Sequence, residues 1–294
     1  MNSFLFNFNT ELLPTFLAVA EAQSLSGAAK LLNLSQPSVT AHIQKLEEEL
    51  NSALIKRSVT GIQLTEAGHK LLEQARRIQN IVREAAESVS EAKVVKGHLK
   101  IAASTTVAAY ALPPLLTEFR KRFPQISLEL QIGNTDDVLK KLRNGSVPLG
   151  LVEGQARASA IHLEPFLEDE LLFVCGTVQQ SLLRKKEDLH KQTLLLREQG
   201  SGTRVVVEKG LKKLNLATKD FNETLDIGSS EAIKTSVMAG LGVAFMSRLS
   251  IQNELALGKL TIPFPDLRIP RTFYWAFPSK GLSGTAAEFY RLQK

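Results

Sequence analysis

The chain has one cysteine, Cys175, among 294 residues, so an internal disulfide is excluded. Its five histidines are scattered without metal-ligand spacing, and neither a metal nor another cofactor is expected. There is no run of about 18 apolar residues. With 44% hydrophobic and 22% charged residues, the composition is that of a soluble globular protein with no membrane partner. The first twenty residues lack a basic start followed by a small-residue cleavage site, and Glu11 and Pro14 interrupt them; a cytoplasmic location is therefore expected. No internal repeat or low-complexity tract is present. Also missing are the eight-residue phosphate loop ending in Lys and Ser/Thr and any legible histidine–serine–carboxylate constellation, which argues against an enzyme. Cys175 itself sits in the apolar run 171–175, where a buried packing role is expected.

The formal charge of +6 invites a nucleic-acid reading that its distribution does not support. Residues 1–97 hold 10 Lys/Arg and 10 Asp/Glu, whereas residues 98–294 hold 26 and 20. The excess lies entirely in the C-terminal part, where it favours anionic ligands. A chain of this length also exceeds the roughly 250 residues at which one core stops growing, so several domains are expected.

The first 60 residues read as three short helices. Leu12, Leu13, Phe16, Leu17 and Ala20 recur at helical spacing; Ala28, Ala29 and Leu32 form a second stripe that ends at Asn33. The third helix opens at Ser35, a good N-cap, with Pro37 in its first turn, and its apolar stripe is Val39, Ile43, Leu46 and Leu50. At ~100° per residue, Pro37, Ala41, Gln44, Lys45 and Glu48 fall on the opposite face, with Ser38 and Thr40 on its flanks. His42, near the stripe, reads as half-buried and structural or as a phosphate contact. A four-residue turn between two such helices is the layout of a helix-turn-helix, although a plain helical bundle shows the same periodicity. Residues 56–64 look like a basic hairpin turning at Gly61, a wing.

From Thr65 to about Lys96 one long helix is expected. Leu71, Ala75, Ile78, Val82, Ala85, Val89 and Ala92 alternate by four and three, a seam that most simply pairs with a second copy, giving a homodimer or homotetramer. The alternative is a helix lying on its own C-terminal domain. Beyond Gly97 strands and helices alternate: strands at 98–104, 126–132 and 149–152, helices at 107–122 and 135–143. This βαβαβ order implies a parallel sheet. A second series has strands at 171–175, 193–197 and 242–246 and helices at 203–214 and 230–239, and a strand at 272–277 and a last helix close the chain. The expected fold is therefore multidomain: an all-α winged helix-turn-helix at 1–64, a linker helix at 65–96, and an α/β two-lobed domain at 97–294. Lobe I would comprise 97–160 and 267–294, and lobe II 161–266.

Five segments carry a family resemblance: Phe16-Leu17-Ala18-Val19-Ala20-Glu21, Ser26-Gly27-Ala28-Ala29, Leu34-Ser35-Gln36-Pro37-Ser38-Val39-Thr40, Leu46-Glu47-Glu48-Glu49-Leu50 and Leu64-Thr65-Glu66-Ala67-Gly68. Together they resemble the winged helix-turn-helix of LysR-type transcriptional regulators. The likeness continues through Gly200-Ser201-Gly202-Thr203-Arg204 and Ala239-Gly240-Leu241-Gly242-Val243. It implies a periplasmic-binding-protein-like effector domain and double-stranded DNA as partner. Asn51 and Ile55 stand where the family usually has glycine and phenylalanine, so Asn51 is asked to adopt the left-handed conformation. Ala41 replaces a common arginine or lysine. A cysteine pair, which peroxide-sensing relatives use, is missing.

On this resemblance, Ser35, Gln36, Pro37, Ser38 and Thr40 lead the recognition helix into the major groove, where glutamine can pair with adenine and a proline ring or threonine methyl can touch a thymine methyl. Lys45, Lys56 and Arg57 are placed as phosphate contacts. The effector is expected between the lobes. Ser104, Thr105 and Thr106 open a helix, Gly202, Thr203 and Arg204 open another, and Asn134, Thr135 and Glu153 complete a ring suited to an oxyanion or carboxylate. The bland reading is that these hydroxyls cap helices and the glycines make a turn. The run also resembles the branch that includes carbon-fixation and sulfur-metabolism regulators. Two other classes share features: an exported two-lobed solute-binding protein and a phosphate-binding enzyme.

Overall fold

The computed structural model describes residues 8–58, 61–88, 96–154 and 160–293; the side chains of 57, 58, 80 and 83–88 fall outside that description. The chain divides into two compact units, the boundary along the sequence falling after Val89.

In the first unit, α1 (Leu13–Ala22), α2 (Leu25–Leu32) and α3 (Gln36–Glu49) precede a hairpin of β1 (Ile55–Ser58) and β2 (Gly61–Leu64), and α4 (Glu66–Ser88) follows. The helices are separated by residues that tolerate positive φ: Gln23 ends α1, Asn33 ends α2, and Asn51 follows α3 at φ +46°. The asparagine takes the conformation its position demands, at a modest steric cost for that residue type. Ser35 caps α3 by accepting from the Ser38 N–H at 3.2 Å. Phe16, Val19, Ala28, Val39, Ile43 and Leu46 form the buried centre of this head. His42 is half-buried and bonds Thr15 Oγ1 through Nδ1 at 2.9 Å, a structural role.

The hairpin is fixed to α3 by one carboxylate. Glu47 Oε1 accepts from the Leu54 N–H at 2.6 Å and the Ile55 N–H at 3.1 Å. Thr65 caps α4 through the Gly68 N–H at 3.0 Å. Gly68 lies so close to the Leu54 carbonyl that a Cβ there would collide with it.

The α4 stripe differs from the expected seam. Leu71, Ala75 and Ile78 pack into the core of their own head, because α1 lies against α4. Among the described side chains, Ile81 and Val82, 54% and 63% exposed, are left for another partner, and the side chain of Ala85 lies outside the description. Val89 and Ala92 lie outside the described residues.

The second unit begins with β3 (Gly97–Ser104), α5 (Leu112–Arg122), β4 (Ile126–Gly133), α6 (Thr135–Arg143) and β5 (Leu149–Glu153). β4, β3 and β5 are parallel and adjacent in that order, as βαβαβ dictates. The expected helix over 107–122 is present, and it opens with a π-helical stretch at Val107–Ala111 that runs directly into α5. Pro113 and Pro114 have no N–H to bond carbonyls a turn earlier, which accounts for the widened stretch before them in an otherwise continuous helix.

β6 (Ile161–Gly176), β7 (Thr193–Arg197), α7 (Gly202–Lys213), β8 (Glu223–Ile227), α8 (Ser230–Met238), β9 (Ala244–Ser247), α9 (Arg248–Ala256), β10 (Leu260–Thr261), β11 (Arg268–Pro278) and α10 (Gly284–Arg291) complete the chain. β6 and β11 are long antiparallel partners. The Phe273–Ala276 stretch of β11 pairs with β5 in lobe I, and residues 171–176 of β6 pair with β9 and β10 in lobe II. The lobes are thus joined through the middles of these two strands. The sheet is mixed rather than wholly parallel, with β7 and β8 forming a separate parallel pair. Phe119, Phe273, Trp275 and Phe289 centre one core; Phe173, Leu194, Leu196 and Val207 centre another. Cys175 is fully buried, as its apolar run implied. Among the described residues no helix is long and apolar enough to cross a membrane.

Where the lobes join, Arg271 on β11 is gripped by two buried carboxylates. Its Nη1 donates to Glu153 Oε2 at 2.9 Å and its Nε to Asp169 Oδ2 at 2.7 Å. The Thr106 N–H and the Thr203 hydroxyl also donate to Glu153. Burial pushes the Glu153 carboxyl up, but the Arg271 charge and these two hydrogen bonds outweigh it and hold the group below the usual carboxylate range.

Two outcomes are expected. Gly68→Ala should destabilise the head by about 2 kcal/mol in urea denaturation, the scale of forcing one extra methyl into a packed site; an unchanged midpoint would contradict the close approach. Glu153→Gln should destabilise the second unit by about 1–3 kcal/mol at pH 7, because it removes one of the two carboxylates that compensate the buried Arg271 and leaves Asp169. Since the folded-state pKa of Glu153 is depressed, this wild-type advantage is complete above the unfolded value of 4.5 and is lost as pH falls through the folded one. Denaturation of both proteins from pH 7 to 3.5 measures it, and a pH-independent difference would contradict the ionised clamp.

Candidate functional site: the exposed face of the third helix and an interlobe arginine pocket

On the head, Gln36, Pro37, Ala41, Gln44 and Lys45 form the exposed side of α3, while Ser38 and Thr40 lie on its flanks. The Ser35 and Ser38 hydroxyls are 2.7 Å apart, and Thr40 Oγ1 donates back to the Gln36 carbonyl at 3.0 Å. These three hydroxyls are therefore engaged within the helix start itself. The Gln36 side chain is steadied by Ser26, whose hydroxyl donates to Oε1 at 3.3 Å. Ser26 is a contact the sequence reading does not supply; its place in the Ser-Gly-Ala-Ala run is the available signal. Lys56 is exposed on β1. Arg57 shares that strand, and its side chain lies outside the described part.

In the second unit most expected effector residues do converge, but in different roles. Thr106 and Thr203 meet on the Glu153 carboxylate, and Thr135 Oγ1 donates to the Glu153 carbonyl at 3.4 Å. Gly202 is required there, since a Cβ would strike the Glu153 carbonyl and the Thr135 hydroxyl. Glu153 is a clamp between lobes with its carboxylate already occupied. Ser104 is buried and its hydroxyl has no hydrogen-bond partner.

Arg204 is not brought into the ring. Its guanidinium donates to Glu208 at 2.9 Å, to Asp226 at 2.6 Å and to the Arg197 carbonyl at 2.8 Å. As the third residue of α7 it projects toward β8, so the arginine that ends the glycine-rich loop is a misleading signal. The guanidinium that does reach across belongs to Arg197, whose side chain is 3% exposed. Arg197 Nη1 donates to Thr105 Oγ1 of lobe I at 2.8 Å and to Ser230 Oγ of lobe II at 2.7 Å. Its Nε and Nη2 hold both oxygens of Glu198, at 2.8 and 2.9 Å, a bidentate pairing. Asn134 Nδ2 of lobe I donates to the same carboxylate at 3.3 Å. Burial raises the Glu198 pKa, but Arg197 and Asn134 more than offset it and keep the carboxyl below its usual range.

Arg197, Arg271, Thr106, Thr203, Ser230 and Ser247 line a small cavity between the lobes. Arg271 Nη2 is buried without a hydrogen-bond partner. Arg197 and Arg271 escape a reading of the sequence, although each leaves a trace: a charged residue ends the apolar run Leu194-Leu195-Leu196, and another interrupts a strand of alternating apolar positions. Among the described residues no cluster of three or more His, Cys, Asp or Glu could hold a metal.

Comparison with known proteins agrees with this layout. Residues 10–69 match the bacterial regulatory helix-turn-helix of the lysR family, and residues 92–293 match the LysR substrate binding domain. The chain is 35% identical over 257 residues to the HTH-type transcriptional regulator CysL of Bacillus subtilis, covering 86% of this chain and 85% of that protein. It is 34% identical over 275 residues to a probable RuBisCO transcriptional regulator of Thalassiosira pseudonana, covering 90% of each. Among solved structures, a full-length single-substitution variant of OxyR from Pseudomonas aeruginosa shares the fold with a TM-score of 0.74 at 21% identity, over 98% of this chain and 93% of that one. Full-length CbnR complexed with its target DNA does so with a TM-score of 0.66 at 23% identity, over 97% and 99%. The chain belongs to the LysR-type transcriptional regulators, with an N-terminal DNA-binding helix-turn-helix and a C-terminal effector-binding domain.

Proposed function

We propose that this regulator reads duplex DNA with the exposed start of α3 and responds to a small oxyanion or carboxylate received by Arg197. The supporting observation is the buried guanidinium of Arg197, shared between Thr105 of lobe I and Ser230 of lobe II. Its charge is matched by Glu198, so an entering anion exchanges with that carboxylate. The exchange frees Glu198 from Asn134 and removes one polar link between lobes. Arg271 Nη2, unpaired in the same cavity, supplies a second donor to the anion. A ligand that prefers one lobe arrangement shifts the population toward it by its affinity difference alone.

On the DNA side, Gln36 and Pro37 face base edges, with Ser35, Ser38 and Thr40 shaping the helix start behind them. Lys45, Lys56 and Arg57 contact phosphates. Because the head's charge is balanced, one head alone grips weakly, and two or four copies share the load. Ile81 and Val82, exposed beyond the part of α4 that its own head covers, begin the self-pairing surface. The protein acts in the cytoplasm and carries out no catalysis.

Three results are expected. Gln36→Ala should cost about 1–3 kcal/mol at the cognate site and relax base preference at one position; an unaltered preference in a binding-site selection would contradict base contact. Lys56→Ala should weaken all duplexes similarly and reduce the salt slope by about 1, measured by titration at several salt concentrations. Arg197→Gln should abolish the thermal stabilisation given by the responsive member of a sulfate, sulfite and phosphate series, while Arg204→Gln retains it. The reverse pattern would place the anion at Arg204 instead.

A further inference from the structure

The DNA-binding head carries a cavity of its own, about 480 Å³, along the margin of β2 between the end of α1 and the start of α4. Two fixed points frame it. The Ile62 N–H donates to the Gln23 carbonyl at 3.0 Å, and a Cβ on Gly61 would strike the same oxygen. The Thr65 N–H donates to the Leu54 carbonyl at 2.9 Å, where Thr65 also caps α4. The hairpin is therefore tied to both helices, which holds open the space between them. Lys56 and Gln63 are cross-strand partners, so their side chains share one face of the hairpin. Ile62 and Leu64 alternate to the other face, half-buried against the core of the head. All four line the cavity. It thus runs from an apolar floor, continued by Val19 and Leu72, to a polar rim, continued by Gln23 and His69.

An exposed lysine or glutamine is ordinarily solvated and by itself signals nothing. Here the polar rim borders a concave apolar floor, in a volume within the roughly 300–1,000 Å³ of small-molecule sites. No carboxylate side chain lines the cavity. Among the described residues, the side chains of Lys56, Gln63, Gln23 and His69 have no hydrogen-bond or ion-pair partner. The cavity therefore offers one unopposed cation, amides free to donate beside it, and half-buried aliphatic side chains that a ligand would finish covering. That combination selects an anion with an apolar body rather than a bare oxyanion.

We propose that the head itself binds a small carboxylate with an apolar body, its charged end on Lys56 and Gln63 and its body over Ile62, Leu64 and Leu72. The regulatory consequence rests on the reading of Lys56 as a phosphate contact. A carboxylate on Lys56 neutralises the charge that would otherwise displace a counterion from the duplex, so ligand and DNA compete for one ammonium group. Occupancy of the head then weakens DNA binding directly, without any rearrangement of the lobes. By linkage, bound DNA lowers the affinity for the carboxylate by the same factor.

Calorimetric titration of the full chain with octanoate and with 2-naphthoate tests the site, the uncharged octanamide serving as control. The expected result is saturable binding of at least one carboxylate, tenfold or more tighter than octanamide. Affinity should fall tenfold or more in Lys56→Gln and in His69→Trp, which fills the rim from an exposed position. Unchanged melting temperatures establish that both variants are folded; if His69→Trp is not, Gln63→Trp replaces it, with the same loss expected. Saturation with the bound carboxylate should weaken duplex binding roughly threefold or more in the parent and leave that of Lys56→Gln unaltered. Binding of neither carboxylate overturns the proposal. So does binding that survives Lys56→Gln and His69→Trp and disappears in Arg197→Gln, a result that would place the ligand in the arginine pocket instead. If the titrations succeed while Lys56→Ala keeps the parent's salt slope, the ligand site stands and the phosphate reading of Lys56 is what fails.

Discussion

The effector domain is organised around a cation that must never be left alone. Arg271 is 1% exposed, and a guanidinium so far from water is tolerable only with carboxylates beside it. Glu153 and Asp169 supply them, from the end of β5 and the middle of β6. This requirement fixes the register of three strands at the place where the lobes join. It also pulls in the start of α7, because Thr203 completes the Glu153 hydrogen bonding, and the residue that precedes the π-helical stretch, through the Thr106 N–H. Burying an ion pair adds little net stability compared with apolar packing. What it does here is define one geometry for groups from both lobes.

A junction of this kind holds position at its centre while the contacts around it exchange. Arg197 to Thr105, Asn134 to Glu198, and Lys234 to Tyr110 at 3.1 Å all cross between lobes near the cleft. Each involves at least one group that is not fully buried, so each can be traded for a ligand or for water at far lower cost than the Arg271 cluster. Lys234 donates in the third of these contacts. It is 9% exposed, paired with Glu231 and Glu254 and lying over the Tyr110 ring, which holds its pKa above the usual lysine value despite burial. The lobes are thus fastened by a fixed centre and several exchangeable polar links, the arrangement that lets a small ligand bias their relation.

Much of this is legible in the sequence because periodicity reports burial directly. The stripes of α1 to α3, the Ser35 and Thr65 caps, the left-handed Asn51 and the parallel β4-β3-β5 order follow from local rules. The differences share a cause: they concern pairings between residues far apart in the chain. Glu153 reads as a ligand contact because nothing local announces that Arg271, 118 positions away, will occupy it. Arg204 draws notice ahead of Arg197 because it follows a glycine-rich turn, whereas helical direction carries it toward Asp226. The α4 seam suggests a second copy along its whole length, although its first half meets the same 3.6-residue criterion for packing on α1. The 16-residue span of β6 is hidden by Pro165 and a run of acidic residues, tolerable because it crosses from one lobe to the other partly exposed.

The central claim is that an anion on Arg197 changes how the lobes sit relative to each other. Spin labels at exposed Lys121 on α5 and Lys219 before β8, introduced as cysteines with Cys175→Ser, report that relation by electron–electron distance measurement. The full chain should give a shifted or narrowed distribution when saturated with the anion that stabilises it, and Arg197→Gln should not respond. Superposable distributions with and without that anion, under conditions where it alters DNA affinity, would contradict the claim.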